Sequence, residues 1–378
     1  MKIIDLFCGA GGFTLGSHAA GFETALAIDV DPILSSAITA NLPKLPFFRE
    51  DLAEVSSSKL FELAGSQRPD GVIGGPPCQG FSEIGRGDRN DPRNELLSHF
   101  YRHVAYLKPR FFVMENVRGI LIRYGRELLN EALKQVEKDY RIIGPILIHG
   151  NEFGAPTSRP RVLVIGIHRD EQTDLSKDDF IRSVIGAPNV RDAIGDLVDA
   201  KFVETNEDGF DVWAYGPVTA SAYAKAARSR DGRQVGTFTG HSKVVHSESV
   251  TKRFALVEQG KVDAVGRHPR LAWDGVAPTI RAGTGSDKGS YQSVRPLHPS
   301  IPRVITVREA ARLQGFPDWY QFHPTVWHSF RMIGNSVPPP VSKNVLKILS
   351  DSLRPVPSPA PKSKKTGSAE VLMLETTS

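Results

Sequence analysis

Cys78 stands in the stretch VIGGPPCQGFS, residues 72 to 82, behind two prolines and a glycine pair. Pro76 and Pro77 pre-set the backbone while Gly74, Gly75 and Gly80 let it turn tightly, so the thiol is held in one orientation at the end of a strand. Rigid placement of that kind suits a nucleophile. A second candidate is Glu115, where the apolar run of FFVMENV (111 to 117) gives way to Glu115 and Asn116, leaving a carboxyl beside a presumed pocket for general acid work. A third is the pair Arg159 and Arg161 in TSRPRVLVIG, residues 157 to 166. A spacing of two in extended chain puts both guanidiniums on one face, able to grip a phosphate or a carbonyl. The fourth is IIDLFCGAGGFTLG, residues 3 to 16, a glycine-rich turn between a strand and a helix, where backbone can approach a ligand closely and helical N–H groups lie unpaired. Asp29, after the next apolar run, is placed to accept hydrogen bonds from a ribose. The dinucleotide fingerprint G-x-G-x-x-G fails here, because the sixth place counted from Gly9 is Thr14.

The elements that must position these residues follow from an alternation that continues to about residue 170, each short β-prone apolar run being followed by a helical stretch. The strand candidates are Ile3 to Phe7, Thr24 to Ile28, Phe47 to Phe48, Gly71 to Ile73, Phe111 to Met114, Ile142 to Ile148 and Val162 to Ile167. This predicts an α/β fold, a doubly wound and mostly parallel sheet with helices on both faces. Ligands then lie beyond the carboxyl ends of the strands, where Phe7, Asp29, Asp51, Cys78 and Glu115 all fall. From about residue 171 the texture changes. Glu171 to Asp211 is acidic, whereas Lys225 to Arg270 carries Lys225, Arg228, Arg230, Arg233, Lys243, Lys252, Arg253, Lys261, Arg267 and Arg270. The expected division is a catalytic and cofactor-binding domain at 1 to 184, a second, smaller lobe at 185 to 300, a C-terminal segment at 301 to 354 that returns to the first domain, and a disordered tail at 355 to 378 rich in Pro, Ser and Lys.

With 378 residues, 40% hydrophobic content and a formal charge of +5, the chain can bury a full core and suits a polyanionic partner. Two cysteines, Cys8 and Cys78, make no disulfide framework, and no Cys/His cluster suggests a metal. Cys8 reads as a small buried hydrophobe beside the glycine turn. No signal peptide or membrane span is expected, and the expected setting is the cytoplasm.

Taken together and in this order, the segments resemble the DNA (cytosine-5) methyltransferases. DLFCGAGG is similar to that family's cofactor motif, GGPPCQGFS to its catalytic motif, ENV to its glutamate motif and SRPR to its paired-arginine motif. VREAARLQGFP at 307 to 317 and GNSVPPPV at 334 to 341 resemble its two C-terminal motifs. The resemblance implies a Rossmann-like fold dependent on S-adenosylmethionine, methyl transfer to C5 of cytosine in a specific double-stranded DNA sequence, and a target-recognition role for the lobe. It assigns Cys78 to the nucleophile that adds at C6 of a flipped base, Glu115 to the acid that engages N3 and the exocyclic amine, and Arg161 with Arg159 to the pair that holds the base's carbonyl. For the cofactor it implies Phe7, Gly9, Gly11, Asp29, Asp51, Pro77, Asn335 and Ser336. One departure is Thr157, where the family commonly has glutamine. The family also implies a bacterial, nucleoid-associated monomer whose functional partner is a cognate restriction endonuclease. Rival readings are a tRNA cytosine-5 methyltransferase and a catalytically inactive DNA-binding regulator. The lobe between the arginine motif and VREAARLQGFP favours duplex DNA over RNA, and the intact Cys78, Glu115, Arg159 and Arg161 disfavour an inactive regulator.

Overall fold

The computed structural model describes residues 1–77, 94–182, 185–283 and 294–353; Cys78, most of the glycine-rich run at 281 to 290 and the tail at 355 to 378 lie outside these ranges. Seven strands form one sheet: β1 Lys2–Leu6, β2 Glu23–Ile28, β3 Phe47–Phe48, β4 Gly71–Gly74, β5 Phe111–Asn116, β6 Tyr140–His149 and β7 Pro160–His168. Their spatial order is β3-β2-β1-β4-β5-β7-β6. The pairs from β3 across to β5 are parallel, and β7 runs antiparallel to both of its neighbours, so it alone reverses the sheet.

Alternate residues of the central strands explain why their sequences read as unbroken apolar runs. Ile3, Phe111 and Val113 face one side, where Val341, Val345 and Leu349 cover them. Ile4, Phe112 and Met114 face the other, beneath Phe100 and Val104. Both faces are buried, as a parallel sheet requires. The covering helices are α1 Gly12–Ala19, α2 Pro32–Asn41, α3 Ser57–Leu63, α4 Glu95–Leu107, α5 Arg123–Leu133 and α6 Lys177–Arg182.

The following region is built from short pieces: α7 Val190–Ile194, β8 Lys201–Thr205, β9 Asp211–Ala214, α8 Ala222–Ala227, β10 Ser229–Arg230, β11 Arg233–Gln234, β12 Thr237–Thr239 and α9 Glu248–Ala255. β12, β9 and β8 make a small antiparallel sheet. Its base does not form a core of its own. Val190, Ile194 and Leu197 pack in one cluster with Leu313, Phe316 and Tyr320 and with Ala10 and Leu15 of the first domain. A second, smaller cluster of Phe254, Leu297 and Val304 lies under the far end of the lobe.

The chain returns through α10 Val307–Gln314, α11 Val326–Asn335 and α12 Pro339–Leu353. Thr306 and Glu309 form a reciprocal cap at the start of α10, and Gly315 ends it in the left-handed region at φ +92°. The helix is buried on all sides, its Arg312 forking onto Asp318 at 2.6 Å and Asp196 at 3.1 Å. α12 lies against α1 so closely that a Cβ on Gly16 would stand 1.7 Å from the Ser342 hydroxyl. Only glycine admits that contact. The late stretch IGNSVPPPV, continuous as a motif, therefore spans the end of α11 and the start of α12, and the break between them at residues 336 to 338 seats against Gly12.

Candidate active site

β1 ends at Leu6, and the turn beyond it is built from left-handed residues: Phe7 at φ +62°, Gly9 at +50° and Gly11 at +75°. Glycine adopts this region freely, whereas Phe7 is held there at a cost. The Gly9 N–H donates to Asp29 Oδ2 at 2.8 Å, and Asp29 Oδ1 accepts from the Asp31 N–H at 2.8 Å. Asp31 in turn caps α2 and ion-pairs with Arg331, so α2 and α11 both brace the carboxylate. From the far side the Tyr320 hydroxyl donates to the Ala10 carbonyl at 2.7 Å. Tyr320 was not among the sequence candidates; it sits in the irregular stretch after α10, where spacing carries no signal. A Cβ on Gly12 would meet Ser336 Cβ at 3.0 Å, which places Ser336 against the first turn of α1. Ser336 is buried and donates to the Met332 carbonyl at 2.7 Å, while Asn335 beside it is exposed. Asp51 is exposed in the loop after β3 and accepts from the Ala53 N–H at 2.8 Å.

A buried acid below this turn gives it an unusual electrostatic character. Asp5 has no exposed surface; its Oδ2 accepts from the Thr14 hydroxyl at 2.5 Å and its Oδ1 has no partner. Burial pushes the carboxyl up to about 7, and burial also raises Asp29. Neither acid has an ion pair among the described residues. Asp29, part-exposed at the open glycine turn, fits a ligand that carries a diol, as S-adenosylmethionine does. The space is present as well, since a Cβ on Gly9 would find only Asp29 Oδ2, at 4.0 Å. Cys8 is buried with Ala27 and Ile38, and burial, together with Asp5 and Asp29, raises its thiol far above the ordinary range. It is held neutral, as a packing residue.

Asp5 sets a pH dependence whose sign can be stated. In the unfolded chain it ionises near 3.8 and in the folded chain near 7, so between these values the folded state holds the extra proton and stability falls as pH rises. Asp5→Asn removes the titration. Between pH 4 and 8 the melting temperature of the wild type should therefore fall more steeply than that of the variant. The difference amounts to a few kcal/mol, since each tenfold change in proton affinity is worth about 1.4 kcal/mol. Parallel pH profiles for the two proteins would contradict this assignment.

Glu115 lies within β5 rather than beyond it, opposite Leu163 of β7, and is buried. Its Oε1 is 2.6 Å from Arg161 Nε. Its Oε2 is turned the other way, 3.2 Å from where a Cβ on Gly75 would stand, so the carboxylate hangs over the glycine pair that opens the Pro-Pro-Cys loop. The Asn116 side-chain amide donates to the Pro76 carbonyl at 3.2 Å and ties that loop to β5. Pro77 is exposed and is the last described residue before Cys78.

The two arginines have different surroundings. Arg161 is in contact with Glu115 and donates from Nη1 to the Pro160 carbonyl at 2.6 Å. Arg159 is buried and donates to the carbonyls of Ile280 at 3.2 Å and Gly334 at 2.6 Å, joining the lobe to the end of α11. Burial lowers both guanidiniums below their ordinary range. Thr157 is buried, and its hydroxyl lies 3.4 Å from the Pro278 carbonyl, along the same junction.

Several basic residues of the lobe are internally engaged. Arg228 pairs with Asp196 at 2.6 Å and lies over the Tyr215 ring, Arg253 pairs with Asp263 at 3.0 Å, and Arg270 is buried with its Nη1 2.8 Å from the His298 carbonyl. Arg230 covers the Trp319 ring. Lys252 pairs with Glu248 on the surface of α9. Lys225, Arg233, Lys243, Lys261 and Arg267 are exposed. Among the described residues no helix is long and apolar enough to cross a membrane, and no group of three His, Cys, Asp or Glu could hold a metal ion.

A family model for the C-5 cytosine-specific DNA methylases matches residues 1–351. The chain is 39% identical over 373 residues to the type II methyltransferase M.XorII of Xanthomonas oryzae pv. oryzae, covering 94% of this chain and 85% of that one. It is 32% identical over 381 residues to the type II methyltransferase M.DdeI of Desulfomicrobium norvegicum, covering 93% and 88%. Among solved structures, a prophage-encoded E. coli protein described as a candidate DNA modification methyltransferase superposes with a TM-score of 0.81 at 36% identity, over 93% of this chain and 99% of that chain.

Proposed function

The chain belongs to the C-5 cytosine-specific DNA methylases, and from that premise we propose that its catalytic groups are Cys78, Glu115 and Arg161, with Arg159 positioning them. The observation that carries this reading is the Glu115 carboxylate, gripped by Arg161 at 2.6 Å on one side and overhanging Gly75, at the mouth of the Cys78 loop, on the other. The enzyme transfers a methyl group to C5 of cytosine in DNA. Cytosine C5 is a poor nucleophile, so the Cys78 thiolate adds first at C6 and pushes electron density onto C5. Glu115 meets N3 and offsets the negative charge that develops as sulfur adds. Arg161 holds Glu115 in place and turns its remaining donors toward the base. The stiff Pro-Pro-Cys corner fixes the line of attack, which must be perpendicular to a base rotated out of the helix. Once C5 carries the methyl group its proton is lost to water, the C5–H electron pair re-forms the C5–C6 double bond, and the thiolate is expelled so that Cys78 is restored.

S-adenosylmethionine, the family's cofactor, supplies an electrophilic methyl group when bound. Phe7, Gly9, Gly11, Asp29, Asp51, Pro77, Asn335 and Ser336 would hold it. Asp29 serves the ribose, its carboxylate held in place by the Gly9 and Asp31 N–H groups. The protein works as a monomer in the cytoplasm, with a restriction endonuclease of the same specificity as its functional counterpart. Residues 1 to 184 and 301 to 354 form the catalytic body, and 185 to 300 the target-recognition lobe. Bisulfite sequencing of DNA from cells that express the chain tests the reading: protected cytosines confined to one short sequence are expected, and conversion identical to that of control cells would refute it.

Phosphate binding by the lobe rests on its exposed cations. Neutralising Lys225, Arg233, Lys243 and Lys261 together should weaken DNA binding on all sequences and reduce the salt slope by about one unit for each contact removed. Arg253→Ala and Arg270→Ala should instead lower the melting temperature, because each strands a buried partner, whereas Arg228→Ala should cost less, Asp196 keeping Arg312. An unchanged salt slope in the quadruple variant would move the phosphate contacts off the lobe.

A further inference from the structure

The lobe carries one projecting tip whose construction is out of proportion to a connecting turn. Residues 258 to 270 fold back on themselves through a ladder: Gly260 N–H to the Arg270 carbonyl at 3.0 Å, Arg270 N–H to the Lys261 carbonyl at 2.8 Å, Asp263 N–H to the His268 carbonyl at 2.9 Å and Arg267 N–H to the Asp263 carbonyl at 3.0 Å. The buried Asp263 carboxylate accepts from the Gly266 N–H at 2.6 Å. A Cβ on Gly266 would stand 2.6 Å from the His268 ring, so the tip is close-packed. His268 is fixed from below, edge-on to Phe254 and 2.8 Å from the Arg295 carbonyl. What this rigid base presents outward is Val265, 71% exposed, and Arg267.

Arg267 sits in the left-handed region at φ +58°, a conformation that glycine or asparagine takes far more cheaply. Such strain persists where the surroundings over-determine it, and it concentrates at functional positions. Its direction also matters. Hydrogen bonds anchor the chain at several points between the tip and the active site: Leu297 N–H bonds to the Pro269 carbonyl at 2.8 Å, Leu271 N–H to the Leu297 carbonyl at 3.1 Å, Ser158 N–H to the Ala277 carbonyl at 2.8 Å, and Arg159 to the Ile280 carbonyl at 3.2 Å. Arg295, which accepts from His268, lies over Phe330 of α11, the helix whose Gly334 carbonyl accepts from Arg159. The tip and the Glu115–Arg161 pair are thus parts of one frame, and the backbone that carries Arg267 has a fixed offset from that pair.

We propose that Arg267 is a specificity-determining residue that reads the major-groove edge of a guanine in the recognition sequence, with Val265 packed beside it to exclude water. The inference rests on the DNA-methylating reading above. An arginine fork meets guanine O6 and N7 through two parallel hydrogen bonds. A rigid mount makes that contact discriminating, since a swinging side chain would find a phosphate instead.

The test compares wild type, Arg267→Ala and Arg267→Gly on a library of duplexes in which each position of the site mapped for the wild type is varied. The wild-type arm stands apart: no methylation of any duplex would sink the function itself rather than this inference. The expected result is that both variants lose ~10- to 100-fold on the cognate site and no longer discriminate at one guanine position, while discrimination elsewhere persists. Arg267→Gly should also melt at or above the wild-type temperature, because it relieves the positive φ. A uniform loss on every sequence, with the salt slope reduced by about one, would make Arg267 a phosphate contact and overturn the proposal. Unaltered discrimination at every position would overturn it equally.

Discussion

Cys78→Ser should abolish methyl transfer while leaving specific binding to DNA intact. The proposed route requires a thiolate, and near neutral pH a thiol is a few per cent ionised whereas a serine hydroxyl is scarcely ionised at all. Cys8, the only other cysteine in the sequence, cannot substitute, being buried and held neutral by its surroundings. Because the base is still rotated out and the lobe is untouched, affinity for the recognition sequence should be retained, and a mismatch at the target cytosine should tighten binding by lowering the unpairing cost of a few kcal/mol. Cys8→Ser should leave turnover in place. Gel-shift affinities alongside tritium transfer from labelled cofactor measure both quantities. Residual turnover in Cys78→Ser above the background of a heat-killed sample would remove Cys78 from the mechanism.

For Glu115→Gln, methyl transfer should slow on the order of 10²-fold or more with near-normal binding of DNA and cofactor, the usual scale for a general acid. The amide keeps the shape in β5 and can still oppose Leu163 in the ladder, yet it cannot exchange a proton with N3 and it gives Arg161 no counter-charge at 2.6 Å. Loss of an ion pair at a buried site also costs stability, so the variant should melt below wild type. Single-turnover rates with saturating DNA separate the chemical step from binding. A wild-type single-turnover rate would exclude Glu115 from the chemistry.

Much of this was legible in the sequence, for a physical reason. A parallel sheet buried on both faces leaves short runs such as FFVM rich in β-branched and aromatic residues, and the seven strands of the large sheet agree with the expected ones to within two residues at either end, while β8 to β12 were not anticipated. Prolines, glycines and acids at strand ends carry local chemistry in their type alone, which is why the glycine turn and Asp29 could be found. Three things were not legible. Glu115 sits inside β5 because β7 runs antiparallel beside it and extends the ladder past Met114, a pairing that depends on chain direction and leaves no trace in composition. Charge counting over Lys225 to Arg270 could not see that Arg228, Arg253 and Arg270 are consumed by Asp196, Asp263 and backbone carbonyls. Tyr320 acts on Ala10 across 310 residues, and Asp5 acts through its burial beneath the turn, so only the assembled fold gives them a role.

The most direct test of the account is a duplex carrying 5-fluorocytosine at the target. Normal turnover breaks the bond between sulfur and C6 only after a proton leaves C5, and fluorine cannot leave as a cation. With S-adenosylmethionine present, the account predicts a methylated protein–DNA adduct that survives denaturant, whose peptide map places the base on Cys78, and which is absent in Cys78→Ser. An adduct that persisted in Cys78→Ser, or that mapped to Cys8, would contradict it.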